Sequence, residues 1–344
     1  MKENNKIVIS KNISVDKEKI IEFLDEQDNV AIEQYPDWPS KGNYRYFYIK
    51  RNENIVAYVK VKEINAKLFK FARLDFVPPF VDKESGYDLI NSILSYYKKN
   101  KYVYLSVQFG FPVSSISEYI DILVNRKYKV RYIYNPGNIW CSLRMSFNNN
   151  NIEEIFNTFT SGHKRAIKKT QNMLNVKKIE DEKELKDYFN IFQNMMNRKK
   201  INYNISYDDI YDIYKYLEKN KKGYILGVFT KDNKCIGGII IVSNGKGMRY
   251  FQGSSDPEYR HLPILHYAFY HTIKICLEEK QDYFDLWGYN LYAEEKDPVW
   301  GINIFKRGFT KNIILYPKRM HINLKPFGRI IYHIIFFLYK LCIK

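Results

Sequence analysis

The chain has 344 residues, 45% of them apolar and 17% aromatic, and carries 55 Lys or Arg against 38 Asp or Glu, a formal charge of +17. That apolar content excludes a disordered chain, and the length allows two domains, each with its own core. Cys141, Cys235, Cys276 and Cys342 include no CxxC pair to nucleate a zinc site or redox dithiol, and the start MKENNKIVISKN has no signal-peptide core, so a reducing, cytoplasmic setting is expected.

Residues 6–13 read as a strand, followed by a helix over 17–27 with Ser14 as its N-cap. Three runs rich in Tyr, Val, Ile and Phe, 45–51, 55–63 and 68–76, are spaced as a meander. A helix over 84–99, a strand over 103–109, a helix over 115–126 and a strand over 139–146 follow. The second half repeats this order. Helices over 182–198 and 207–219 precede strands over 224–230, 235–243 and 247–252, joined by Asp232-Asn233-Lys234 and Asn244-Gly245-Lys246 as tight turns. A helix over 263–279, a strand over 283–286, a short helix ending before Phe305 and a strand over 312–316 complete the copy. The repetition predicts one mixed α/β plan used twice, from residues 1–150 and 151–322.

The C-terminal segment 323–344 differs in character. Residues 298–344 hold nine Lys or Arg and no Asp or Glu, and residues 330–343 are mostly apolar. Fourteen residues are too few for a bilayer span of about 20. A basic stem of Lys318, Arg319, Lys325 and Arg329 leading into an apolar, aromatic stretch suits a basic amphipathic helix on an anionic membrane surface. Docking of that helix on the protein's own core is the other reading.

Several motifs together resemble one family. They are His163-Lys164-Arg165-Ala166-Ile167-Lys168-Lys169 with the later Val176, Arg198 ending a long helix, Tyr250-Phe251-Gln252-Gly253-Ser254, Phe284-Asp285-Leu286-Trp287-Gly288, Phe305-Lys306-Arg307-Gly308-Phe309, and the early Gln34 to Lys41 run containing Trp38. The set resembles the Fem aminoacyltransferases, and it spans roughly residues 30 to 317. The resemblance implies two tandem acetyltransferase-like (GNAT) domains and transfer of an activated amino acid, carried by aminoacyl-tRNA, onto an amine of a lipid- or nucleotide-linked peptidoglycan precursor. It implies no resident cofactor and a monomer or weak dimer. The helical arm by which some members contact RNA has no heptad counterpart here, and Trp287 stands where the family often has a smaller residue.

The resemblance places the catalytic lysine at Lys306, with Phe305 as pocket wall. A fixed cation at the oxyanion of a tetrahedral intermediate contributes about 3 kcal/mol. Without the resemblance Lys306 reads as a surface lysine on a basic segment. Asp285 is either a base for the attacking amine or the end of a strand holding the next loop. Lys41 and Arg198 are carried over as ligands for precursor phosphates, with Trp38, Tyr250 and Gly288 as further substrate-binding positions. Lys41 also fits a solvated loop, and Arg198 a helix C-terminus complementing its dipole. Lys164, Arg165 and Lys168 fit either a tRNA contact or a solvated helix face.

No GxxxxGK[ST], GxGxxG or GxSxG motif is present. His266 and His271, five apart, do not share a helix face, so no metal is predicted. Two other functions stay open: a GNAT-like N-acyltransferase drawing on acyl-CoA or an acyl-carrier protein to modify a sugar or lipid amine, and a non-catalytic basic adaptor for RNA or membrane.

Overall fold

A computed structural model describes residues 5–112, 130–132, 141–199 and 205–342. The expected helix over 115–126 and the first two residues of the strand over 139–146 lie outside them. The chain divides into two compact units, Met1–Trp140 with Leu315–Lys344, and Cys141–Ile314.

In the first unit, β1 (Lys6–Ser10) is followed by α1 (Lys17–Glu26), β2 (Asn43–Arg51), β3 (Asn54–Ala66), β4 (Phe69–Val77), α2 (Lys83–Lys99), β5 (Tyr104–Phe109) and β6 (Val130–Tyr132). The helix α1 starts at Lys17, so its N-cap is Asp16 and not Ser14. The Asp16 carboxylate accepts from Tyr48 Oη at 2.7 Å and pairs with Lys50 Nζ at 2.6 Å. In α2, Leu89, Ile90, Ile93, Leu94 and Tyr97 recur at helical spacing and are buried, while Asp82 caps the helix by accepting from the Ser85 N–H at 2.8 Å. These side chains pack on Phe47, Val59, Val61, Ala72 and Leu105 of the sheet.

The second unit runs β7 (Cys141–Ser146), α3 (Ile152–Thr158), α4 (Ser161–Thr170), β8 (Leu174–Lys178), α5 (Glu182–Arg198), α6 (Tyr207–Asn220), β9 (Gly223–Thr230), β10 (Cys235–Asn244), β11 (Gly247–Ser255), α7 (Ile264–Glu278), β12 (Tyr283–Asp285), α8 (Trp300–Arg307) and β13 (Ile313–Leu315). Capping boxes start α3 (Asn151 with Glu154) and α6 (Ser206 with Asp209). The sheet order is β13-β7-β12-β11-β10-β9-β8. Between Ile240↔Gln252 and Ile241↔Tyr250 the register slips, leaving Phe251 as a bulge that bends β11. Its parallel partner β12 pairs with it only at Met248↔Phe284 and Arg249↔Asp285. Beyond Arg249, β11 continues without pairing to β12.

After Ile314 the chain returns to the first unit. Strand β14 (Met320–Asn323) inserts between β5 and β6, giving the sheet order β1-β2-β3-β4-β5-β14-β6, and helix α9 (Gly328–Cys342) ends the described chain. The expected partition into 1–150, 151–322 and 323–344 is therefore corrected. The boundary falls at 140/141, and residues 315–344 belong with the first unit because Met320, His321 and Ile322 pair with Val107, Ser106 and Leu105. No helix among the described residues is long and apolar enough to cross a membrane.

Candidate active site

Helix α8 has an inverted pattern. It buries Asn303 (3% exposed) and Lys306 (5%) while Ile302 (44%) and Ile304 (53%) face outward. Positions 303 and 306 share one face at i, i+3 spacing. Asn303 is explained by its bonds to the preceding loop, donating from Nδ2 to Asn290 O at 2.7 Å and accepting from the Asn290 N–H at 3.3 Å. Lys306 is thereby held inside the unit, on a helix rather than after one as expected, and it is no surface lysine.

The turn after β12 receives Lys306. Trp287 (φ 53°) and Gly288 (φ 50°) both adopt left-handed backbone, which for tryptophan costs about 1 kcal/mol or more. This turn aims two carbonyls at the ammonium: Lys306 Nζ donates to Trp287 O and, at 2.9 Å, to Gly288 O. The Tyr250 ring lies beneath, its centroid 5.6 Å from Nζ. Burial pushes the Lys306 ammonium down to about 8, with the Asp285 charge opposing it.

Asp285 fixes the turn. Its carboxylate, fully buried, accepts from Arg144 Nε at 3.2 Å and Nη2 at 3.0 Å, from Ser142 Oγ, and from the Trp287 N–H at 2.8 Å. A carboxylate so engaged with a guanidinium is an anchor for the Trp287-Gly288 carbonyls. The Arg249 guanidinium sits 4.2 Å from the Trp287 ring centroid and holds the other side of the turn.

Phe305 points into an aromatic cluster, with ring centroids 5.0 Å from Phe269, 4.9 Å from His266 and 5.4 Å from Phe309. Its carbonyl takes a hydrogen bond from His163 Nε2 at 2.8 Å, which leaves Nδ1 as acceptor for Thr160 Oγ1 at 3.1 Å. Burial pushes His163 down against that bond, and pushes His266 down to about 4, aided by His163. A Cβ added at Gly308 would lie 2.0 Å from the His163 ring. Gly308→Ala is expected to cost about 1–3 kcal/mol, read as a lower melting temperature, because the ring that braces α8 must move.

The first unit contributes a separate cationic cavity of about 320 Å³ lined by Gln34, Ser40, Tyr44, Lys60, Lys62, Arg73, Asp75 and Arg319 among others. Lys60 is 4% exposed, and its Nζ donates to Tyr35 O and Ser40 Oγ, both at 3.2 Å. Burial pushes Lys60 down to about 8, and also lowers Lys62, with Arg73 adding to the effect. Asp75 bridges Arg73 at 3.0 Å and Arg319 at 2.7 Å. Motif and spacing do not single out this group. One signal was present: Lys60 and Lys62 alternate with Val59 and Val61, placing both lysines on one face of β3.

Of the expected site residues, the second unit brings Lys306, Tyr250, Gly288, Asp285 and Phe305 together. In the first unit Trp38 is buried at 5% exposure, and Lys41 is exposed one residue from the cavity's Ser40. Arg198 is exposed in the last turn of α5. On α4, Lys164 Nζ donates to Asn157 O at 3.3 Å, while Arg165 and Lys168 are exposed on the same side.

Residues 159–297 match the sequence profile of an acetyltransferase (GNAT) domain. Among solved structures, FemX is similar over 95% of this chain and 99% of its own, with a TM-score of 0.80 at 13% identity. L-PGS from Bacillus licheniformis is similar over 94% and 95% (TM-score 0.58, 12% identity), and a tandem GNAT protein from the clavulanic acid biosynthesis pathway over 93% and 99% (0.54, 10%). No curated protein matches the sequence. The fold is thus shared with FemX and with a tandem GNAT protein, as the motifs had implied, and Tyr250, Asp285 and Gly288 lie within the GNAT-matched part of the second unit.

Proposed function

We propose that the protein is an aminoacyltransferase that joins an activated amino acid, delivered as aminoacyl-tRNA, to an amine of a peptidoglycan precursor. The buried ammonium of Lys306, held against the Trp287-Gly288 turn, carries this reading. Two of its three N–H groups satisfy Trp287 O and Gly288 O, so one remains to meet an oxyanion. The acceptor amine attacks the ester carbonyl, the tetrahedral oxyanion is stabilised by Lys306, and collapse expels the ribose hydroxyl, which takes the proton lost by the amine. A tRNA-borne donor implies a cytoplasmic reaction. The similarity of the fold to FemX supports the choice of acceptor, and exposed Arg165 and Lys168 fit contacts to tRNA phosphates.

In this reading the first unit's cavity, with Lys41 nearby, holds the precursor's phosphates. Lys60→Met keeps the length of the side chain and removes the charge, and it is expected to raise KM for a diphosphate-linked acceptor about tenfold with kcat little changed.

The profile match favours a second reading, an N-acyltransferase using acyl-CoA. Against it, Gly253-Ser254-Ser255 lies inside β11, paired with Ile239, Gly238 and Gly237, so it forms no phosphate-cradling turn. Incubation with charged tRNA or acyl-CoA pools and wall precursors, followed by mass analysis of the acceptor, separates the two. A mass gain equal to an amino-acid residue, dependent on tRNA, is expected. An acyl increment dependent on CoA would overturn the aminoacyl reading.

A further inference from the structure

The helix α9 has two apolar faces, and among the described residues only one is covered by protein. On the inner face Ile331, Tyr332 and Ile335 pack on Phe71, Val103 and Tyr104, with the Tyr332 ring 5.1 Å from Phe71 and 4.6 Å from Tyr104. On the outer face Ile330 (55% exposed), Ile334 (54%), Phe337 (62%) and Leu338 (53%) lie open, preceded by Phe327 at 72%. At about 100° per residue, the four helical positions fall within an arc of roughly 100°, a single stripe.

Charge decides what fits that stripe. Residues 315–344, which belong with the first unit, carry six Lys or Arg and no acid, and Lys318 and Lys325 are exposed just before the helix. A symmetric contact between two copies would bring these cations against their like. A surface that is apolar below and anionic above matches both the stripe and its basic flank. The 15 residues of α9 span about 22 Å, short of the roughly 30 Å hydrocarbon layer, so the helix suits lying in the interface.

We propose that the outer face of α9 docks the protein on an anionic lipid surface, with Ile330, Ile334, Phe337 and Leu338 entering the headgroup boundary. The inner face keeps the helix fixed to the first unit, so docking requires no unfolding. This inference does not depend on which group the enzyme transfers.

The test is co-sedimentation of the full chain with phosphatidylglycerol-containing vesicles and with pure phosphatidylcholine vesicles. The wild type should partition onto the anionic vesicles, weaken as salt rises, and bind phosphatidylcholine poorly. Ile330→Ser, Ile334→Ser and Phe337→Ser combined should reduce partition about tenfold or more while the melting temperature is unchanged. Lys318→Glu with Lys325→Glu, which spares the apolar face, should also reduce it. Equal partition of wild type and both variants would overturn the proposal. So would a lipid-free, concentration-dependent dimer that the triple substitution abolishes, which would assign the stripe to a second copy.

Discussion

Lys306→Ala is expected to lower the rate of acyl transfer by about a hundredfold or more, the range found when one preorganised oxyanion donor is removed. The loss should fall on kcat and kcat/KM alike, since the donor acts on charge that develops only in the transition state. Lys306→Met, closer in volume, should be equally inactive yet fold as well, which separates charge from packing. Near-normal transfer by either variant would remove Lys306 from the mechanism.

The pH dependence follows from the same burial. Lys306 is pushed down to about 8, so its cation is present below that pH and is lost as pH rises through it. Transfer should therefore show a descending limb near pH 8 that disappears in Lys306→Met. Stability has the opposite sign. Between about 8 and 10.5 the unfolded chain binds the proton that the folded lysine has released, so this residue's contribution to stability increases with pH across that window and is least below it. Lys60, also lowered to about 8 by burial, adds a change of the same sign in the first unit.

Asp285→Ala is expected to destabilise the second unit by about 3–5 kcal/mol, because it leaves the Arg144 guanidinium buried without its counter-charge. For a body of this size that corresponds to a fall in melting temperature of roughly 10 °C. Arg144 is itself 7% exposed and stacks 3.9 Å from the Tyr283 ring centroid, so in its present position the unpaired guanidinium would be largely buried. The double variant Arg144→Met with Asp285→Leu should recover much of the loss, since a pair of apolar groups no longer hides a lone charge. Asp285→Asn gives the discriminating result. Loss of transfer with unchanged melting would identify the carboxylate as a base; loss of stability would identify it as the anchor of the Trp287-Gly288 turn.

Much of the fold is legible in the chain because its signals are local. The meander over β2, β3 and β4 is written in closely spaced runs of Tyr, Val, Ile and Phe, and its counterpart over β9, β10 and β11 in two polar turns. The cap of α1 falls two residues from the expected one because Ser14 and Asp16 both suit the role and only the start of the hydrogen-bonded turn decides. Strand β14 escapes a sequence reading because Met320-His321-Ile322-Asn323 is short and sits in a basic segment that reads as the approach to the terminal helix. The motif residues Tyr250, Gly288, Asp285, Phe305 and Lys306 are found by resemblance, but their division of labour is not, since no spacing reveals that Asp285 faces Arg144.

By itself the sequence determined the repeated α/β order and the basic end, because periodicity and charge are properties of neighbouring residues; the candidate lysine came from the resemblance of its motifs to a family and not from either pattern. Only the tertiary structure decided that Lys306 is buried on a helix with its polar face inward, and that Lys60, Lys62, Arg73 and Arg319 share one cavity. It also decided that residues 315–344 rejoin the first unit. The physical reason is common to all three: burial, the lowered ammonium and strand pairing arise from contacts between distant segments, and local patterning carries no record of them.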